Sequence, residues 1–229
     1  MLVSYELDGG VAAITMDDGK ANVLSLAMQG ELDGALTRAE DDGAVVVLAG
    51  RDGRFSGGFD LATLNAGGPD AFAMLRGGFE LAERLLSFPR PVVIACTGHT
   101  IAMASFLLLS GDYRIGADGA FKITANEVAI GLTLPWAAIE ICRHRLTPAA
   151  FDRATILAEV FSPAAAVDAG FLDRVVPAAD LAAAAREAAA QFAALDAAAH
   201  AATKLRSRER ALTALRAAID MEFPSPTAS

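Results

Sequence analysis

Cysteine is nearly absent from this chain. Cys96 and Cys142 are the only two in 229 residues, both inside apolar segments and without CxxC spacing, which argues against a disulfide framework and a zinc site and fits a reducing compartment. Basic residues are in deficit as well. Lys and Arg number 19 against 28 Asp and Glu, a formal net charge of −9, and no basic stripe is available to meet a phosphate backbone, so no nucleic-acid partner is expected. A polyanionic ligand would have to be met by local donors. No stretch of about 18 apolar residues is free of charge, so no membrane-spanning helix is expected. The opening MLVSYELDGG carries acids where a signal peptide carries bases. These absences predict a soluble, unexported, cytoplasmic protein with no membrane partner. His144 and His200 lie among basic neighbours and complete no metal triad with His99, so no metal is expected. The GxSxG elbow, the GxGxxG fingerprint and the P-loop are all missing.

What is present is mostly apolar. Hydrophobic residues make up 54% of the chain and charged ones 21%, the composition of a globular fold and not of a disordered chain. Residues 2–7 (LVSYEL) and 11–16 (VAAITM) are β-type runs around Asp8-Gly9-Gly10, a hairpin signal. From Ser25, a candidate N-cap, apolar residues at Leu26, Met28, Leu32, Leu36 and Ala39 follow a helical period. Residues 45–48 are a fully apolar strand. The order repeats with a helix over 69–88, a strand over 92–96, a helix over 102–110 and a strand over 113–116. Alternating strands and helices predict βαβ units and an α/β fold. From residue 148 the texture changes to alanine-rich helices over 148–157, 163–169 and 179–195, broken by a short β-like run at 171–176; alanine is the strongest helix former. The expected organisation is a core over 1–147 and a helical C-terminal region over 148–229 that caps the core or joins subunits.

Two turns carry the chemistry. The first, GRDGRFSGGFDL (residues 50–61), follows an apolar strand and precedes a helix-compatible segment, so unpaired backbone N–H groups can face a cleft. The second, TGHTIAMASF (97–106), repeats that context after the next buried strand. Two such turns from adjacent units can bring two N–H donors together as an oxyanion hole. Taken alone, either segment reads equally as a structural turn.

With these turns stand GVAAITM and Asn22-Val23-Leu24-Ser25, RFSGGFDL, PVVIACTGHTIAM, GDYRI (111–115), NEVAIGL (126–132) and DAGFLDRVV (168–176). In this order, over almost the whole chain, they resemble the crotonase superfamily, the enoyl-CoA hydratases and isomerases. The resemblance implies a spiral of ββα repeats with a helical C-terminal region, assembled as a trimer or dimer of trimers. It implies an acyl-CoA thioester as substrate, with coenzyme A part of that substrate and no separate cofactor. It places the two donors for the developing enolate oxygen at Phe59 and Met103, and the CoA-side pocket at Phe59, Asp60, Leu61 and Ala62. Many relatives are glycine-rich at the second turn, where this chain reads Ala102-Met103-Ala104.

Hydratases of that family use two glutamates, because adding water to a 2-enoyl thioester needs the water deprotonated while a proton reaches the α carbon. The second maps to Glu127, reached by an approach (FKITANE) about two residues longer than usual. The first maps to Phe106, which cannot carry a proton. Isomerases can work with one glutamate near the second position, and Asn126-Glu127 is similar to a pair found in some of them. The resemblance therefore implies double-bond isomerisation with Glu127 as the single acid–base residue. Hydration of a 2-enoyl-CoA and non-catalytic acyl-CoA binding remain alternatives. Outside the resemblance, Glu127 is an ordinary turn carboxylate.

Other residues are weighed by their surroundings. Phe106 and Trp136 are expected beside the substrate, with core packing as the plainer role of an aromatic ring. Lys20, Arg51 and Arg54 are candidates for the CoA phosphates, with solvated surface charge as the alternative. Glu140 is the reserve acid–base candidate, with an i, i+4 pairing to His144 as its plainer role; Asp112 reads as a structural turn residue, and His99 as a satisfied histidine in the second turn, with orienting a ligand as the alternative. Residues 222–229 read as a disordered Pro/Ser tail in place of the further helix with which relatives reach the CoA site, an expectation that reduces adenine and phosphate contacts.

Overall fold

The computed structural model describes residues 1–224. Strands β1 (Val3–Asp8) and β2 (Val11–Met16) form the expected antiparallel hairpin. Helix α1 (Leu26–Asp41) starts where Ser25 Oγ accepts from Met28 N at 3.2 Å. Then the chain repeats a pattern of two strands and a helix. β3 (Val45–Ala49) leads to β4 (Gly53–Ser56), α2 (Leu61–Ala66) and α3 (Gly68–Ser87); β5 (Val92–Cys96) leads to β6 (Gly98–Ile101) and α4 (Met103–Leu109). β7 (Tyr113–Ala117) leads to β8 (Ile123–Thr124), a 3₁₀ turn at Val128–Ile130, and helices α5 (Trp136–Arg145), α6 (Pro148–Thr155) and α7 (Pro163–Ala169). β9 (Arg174–Val176), α8 (Leu181–Ala193) and α9 (Ala197–Glu222) follow.

The first strands of the repeats make one sheet, in the order β1-β2-β3-β5-β7-β9, parallel from β2 onward. Val45 to Leu48 and Val92 to Cys96 are buried on both faces because helices cover both, as parallel sheets require. One face packs Ile14, Val46, Leu48 and Ile94 against α1, α3 and α4; the other packs Val45, Val47, Val93 and Ile115 against the alanine face of α8. The second strands make a smaller parallel sheet, β4-β6-β8. This is the ββα spiral, and it corrects the reading of residues 53–56 and 98–101 as turns. Those segments are four-residue strands whose ladder partners come from neighbouring repeats, so neither shows a pattern of its own.

The helical C-terminal region ends in α9, a 26-residue helix whose bounds the sequence reading did not give. Asp196 Oδ1 caps it by accepting from Ala199 N at 2.7 Å. It lies against α3 and α5, and its Leu215, Ile219 and the following Phe223 enter the same core as Ile14. Two buried cations of α9 meet Asp112: Lys204 Nζ at 2.6 Å and Arg208 Nη2 at 2.8 Å, while the same carboxylate accepts from Val92 N at 2.7 Å. Asp112 is thus the structural residue expected, and an anchor for α9 as well. The disordered tail predicted from residue 222 is also corrected at its start. Glu222 is helical and Phe223 is buried between Phe72 and Phe79; residues 225–229 lie outside the described residues. Among the described residues no helix is long and apolar enough to cross a membrane.

Candidate functional site

The turn after β4 is built by its own backbone neighbours. Gly57 N donates to Ala21 O and Leu24 N to Gly58 O, both at 2.8 Å. Ser56 Oγ donates to Asn22 O at 2.6 Å and accepts from Gly58 N at 3.2 Å. Asn22, fully buried with φ 51°, donates from Nδ2 to Met16 O at 2.9 Å and Phe55 O at 3.3 Å and accepts from Asp18 N at 3.0 Å. Sequence reasoning quoted Asn22 only within a motif and gave Ser56 no role. A small polar pair flanking a glycine turn was the available signal.

Gly58 is where the two turns touch. Its φ is +85°, and a Cβ there would stand 2.8 Å from Ile101 O, 3.1 Å from Ala102 Cβ and 3.4 Å from Met103 N. Only glycine permits both the conformation and the approach. Phe59 follows directly, so the turns carrying Phe59 N–H and Met103 N–H are in contact. Neither amide donates to a backbone acceptor among the described residues. The Phe59 ring rests on Gly78 of α3, where a Cβ would meet Cε1 at 2.4 Å, and meets Phe79 edge-on at 6.3 Å. Ala102, at φ 54° and ψ −126°, holds a conformation suited to glycine, strain of about 1–3 kcal/mol. The turn keeps its shape although its glycine is replaced.

Glu127 follows β8 and opens the 3₁₀ turn. Its carbonyl accepts from Ile130 N at 3.1 Å and Leu132 N at 2.9 Å, which curls the next segment back on it. Glu127 is only 8% exposed, and among the described residues its Oε2 has no hydrogen-bond partner. Burial pushes the carboxyl up to about 7, against a smaller opposing pull from the residue's own amide. Buried Oδ1 of Asn126 also lacks a partner. Cys142 of α5 senses the Glu127 charge, its thiol being pushed up first by burial and then by that carboxylate. A carboxyl poised near neutral pH in dry surroundings is suited to take and return a proton.

The other expected residues fall into two groups. Close to the turns, Phe106 is buried with its ring stacked on Phe79 at 6.1 Å, so a core phenyl occupies the first-acid position. Asp60 caps α2, accepting from Ala62 N at 3.2 Å and from Thr63 Oγ1 at 2.8 Å; the Thr63 hydrogen bond holds its carboxyl below the ordinary range. Leu61 and Ala62 are exposed on the first turn of α2. At the periphery, Lys20 is exposed and its carbonyl accepts from Arg51 Nη1 at 2.8 Å, while Arg51 also pairs with Asp17 at 3.4 Å. Trp136 opens α5 at 58% exposed, and its N–H donates to Glu222 Oε2 at 2.8 Å. His99 accepts from Lys122 N at 3.1 Å and meets Phe121 edge-on, a structural role.

Glu140 corrects its expected pairing. It lies 3.6 Å from Arg143, whereas burial, with Arg208, Arg145 and Arg114 nearby, pushes His144 down to about 4 and leaves it neutral. Among the described residues no three His, Cys, Asp or Glu are grouped to hold a metal ion. A groove along Leu195, His200 and Lys204, and another along Tyr113, Arg174 and Phe192, include none of the site residues.

Residues 6–225 match the family described as Enoyl-CoA hydratase/isomerase. Human mitochondrial enoyl-CoA delta isomerase 1 is 31% identical over 182 residues, covering 77% of this chain and 60% of that protein. The chain thus spans about three fifths of the length of the curated isomerases it matches. The crystal structure of the enoyl-CoA hydratase EchA3 from Mycobacterium ulcerans Agy99 superposes with a TM-score of 0.93 at 51% identity, covering 96% of this chain and 97% of that one. That of human mitochondrial delta3-delta2-enoyl-CoA isomerase superposes with a TM-score of 0.91 at 31% identity, covering 98% and 91%.

Proposed function

We infer, because this chain belongs to the enoyl-CoA hydratase/isomerase family of the crotonase superfamily, that it binds an enoyl-CoA and moves its double bond from the 3- to the 2-position. In this reading the Glu127 carboxylate removes a proton from the α carbon of a 3-enoyl thioester. The electron pair passes to the thioester oxygen, where Phe59 N–H and Met103 N–H stabilise the enolate. The protonated Glu127 then delivers the proton to the γ carbon, the double bond settles between the α and β carbons, and no water enters. A single oxyanion-hole donor is worth about 3 kcal/mol of barrier in such chemistry. Coenzyme A is part of the substrate, and the proposal includes no separate cofactor.

The observation that carries the reading is one unpartnered, buried carboxyl pushed up to about 7, with a stacked phenyl ring where a hydratase has its other acid. Isomerisation needs one group that is both base and acid; hydration by the two-glutamate route needs two. The proposal further places the protein in the cytoplasm as a homotrimer or dimer of trimers. Exposed Ile130, Leu132, Leu157 and Val160 are available for such a subunit contact.

The test is an assay of purified full-length protein on matched 2-enoyl-CoA and 3-enoyl-CoA, with products read by mass spectrometry. Double-bond migration without mass change is expected, and Glu127→Gln should abolish it while CoA-ester affinity stays within about twofold, because the charge is lost but the shape is kept. Gain of one water would replace this reading by hydration. Binding without turnover would replace it by an acyl-CoA carrier.

A further inference from the structure

The last turn of α9 reaches both halves of the site. Glu222 Oε2 accepts from Trp136 N at 2.8 Å, satisfying an orphan amide at the start of α5, a helix whose own N-cap, Pro135, supplies no side-chain hydrogen bond. The segment that runs into this helix start begins at Glu127. Its Val128, Ile130 and Leu132 are exposed, backbone bonds to Glu127 O and the buried Leu134 hold its middle, and Glu222 secures its far end at α5.

One residue after Glu222, the Phe223 ring is 6% exposed and stacks on Phe79 at 5.8 Å with planes 15° apart. Phe72 closes it edge-on at 5.9 Å. Phe79 in turn stacks on Phe106 and abuts Phe59. Arg76 fixes the turn itself, donating to Phe223 O and pairing with Asp220 at 2.8 Å.

We propose that this turn positions the site from two sides: Phe223 through Phe79 on the Phe59 turn, and Glu222 through the α5 start on the Glu127 segment. The proposal rests on the roles given above to Phe59 and Glu127 and adds two positioning residues to them. The Phe59 ring is confined between Gly78 and Phe79, which pins the backbone that carries the Phe59 N–H. Removing Phe223 leaves a cavity beside Phe79 into which that ring relaxes, and a displacement of about 1 Å in a donor costs on the order of 10²-fold in rate. Without Glu222, the far end of an exposed segment loses its anchor and water gains access to the Glu127 carboxyl.

The variants Phe223→Ala, Phe223→Leu, Glu222→Ala and Glu222→Gln test this in the full chain. Arg216→Ala is the control, since Arg216 ties α9 to Glu83 and Glu80 and, apart from an approach of 3.9 Å to Asp220, touches no residue of the turn. Phe223→Ala should lower kcat on a 3-enoyl-CoA by about tenfold or more with KM nearly unchanged, and Phe223→Leu should restore most of it. Arg216→Ala should lower the melting temperature and keep kcat. In Glu222→Ala the titration of Glu127, followed by NMR of the labelled carboxyl, should fall from about 7 towards the ordinary 4.5, whereas Glu222→Gln, still an acceptor, should hold it. Cys142, the titratable neighbour of Glu127 on α5, is pushed up and remains a thiol. A Phe223→Ala protein with parental kcat, or with no greater loss than Arg216→Ala, overturns the first half; an unmoved Glu127 titration in Glu222→Ala overturns the second. If the parent turns over no enoyl-CoA, the isomerase reading falls, and the Glu127 titration alone decides whether the turn positions that segment.

Discussion

Replacing Glu127 by glutamine should inactivate the protein and stabilise it. The carboxyl titrates near 4.5 when exposed and at about 7 in the fold, because burial disfavours the charge. Below 4.5 both states are protonated and the fold pays nothing for this group. Between 4.5 and 7 the unfolded chain releases a proton that the folded chain retains, so stability falls as pH rises; above 7 the folded carboxyl is charged too and the loss is complete. The difference between those two values corresponds to about 3 kcal/mol. Glutamine removes this penalty and leaves a buried amide short of partners, which costs about 1 kcal/mol. The net gain at pH 8 is therefore about 2 kcal/mol, or roughly 4–8 °C in melting temperature for a chain of this size. Urea unfolding of parent and variant at pH 5, 6, 7 and 8 measures it. The gap should open as pH rises, with the parent supplying the slope. A gap that does not depend on pH, or a variant less stable than the parent at pH 8, refutes the reasoning.

Ala102→Gly should stabilise the fold by about 1 kcal/mol, seen as a higher urea midpoint, since relief of positive-φ strain outweighs the looser unfolded chain, and should leave kcat intact; a lower midpoint would show that alanine is at ease there. Asp112→Asn should destabilise by about 3–5 kcal/mol, because Lys204 and Arg208 lose their shared counter-charge while buried. Thermal melts read it, and a loss under about 1 kcal/mol would show that water solvates those cations.

What the sequence disclosed follows how each element is stabilised. Residues 45–48 and 92–96 were readable because a strand covered on both faces must be apolar throughout. Ser25 was readable because a cap is a local device. β4, β6 and β8 were not, since two to four residues with a glycine make no pattern until the ladder partner is known. The C-terminal helix was expected, but the bounds of α9 were blurred by its own anchoring: its inward face includes Lys204 and Arg208, so charge falls where periodicity demands apolar residues. At the site, Glu127, Phe59 and Met103 were singled out through motif order. Their environment was not. The missing partner on Glu127 Oε2, the closeness of Gly58 to Ile101 and the reach of Phe223 all arise between segments far apart in the chain.

The seating of α9 also sets an order of assembly. Its anchors join residues 92 positions apart at Asp112 and Lys204 and 147 apart at Arg76 and Phe223. At synthesis rates of about 5–20 residues per second, the first repeats wait roughly 7–30 s for the helix that braces them. During that interval Phe79 and its neighbours present an uncovered aromatic face, and Asp112 lacks both of its cations. The newborn chain is thus exposed to aggregation until α9 has been made, and a chaperone that shields the α3 surface would matter most in those seconds.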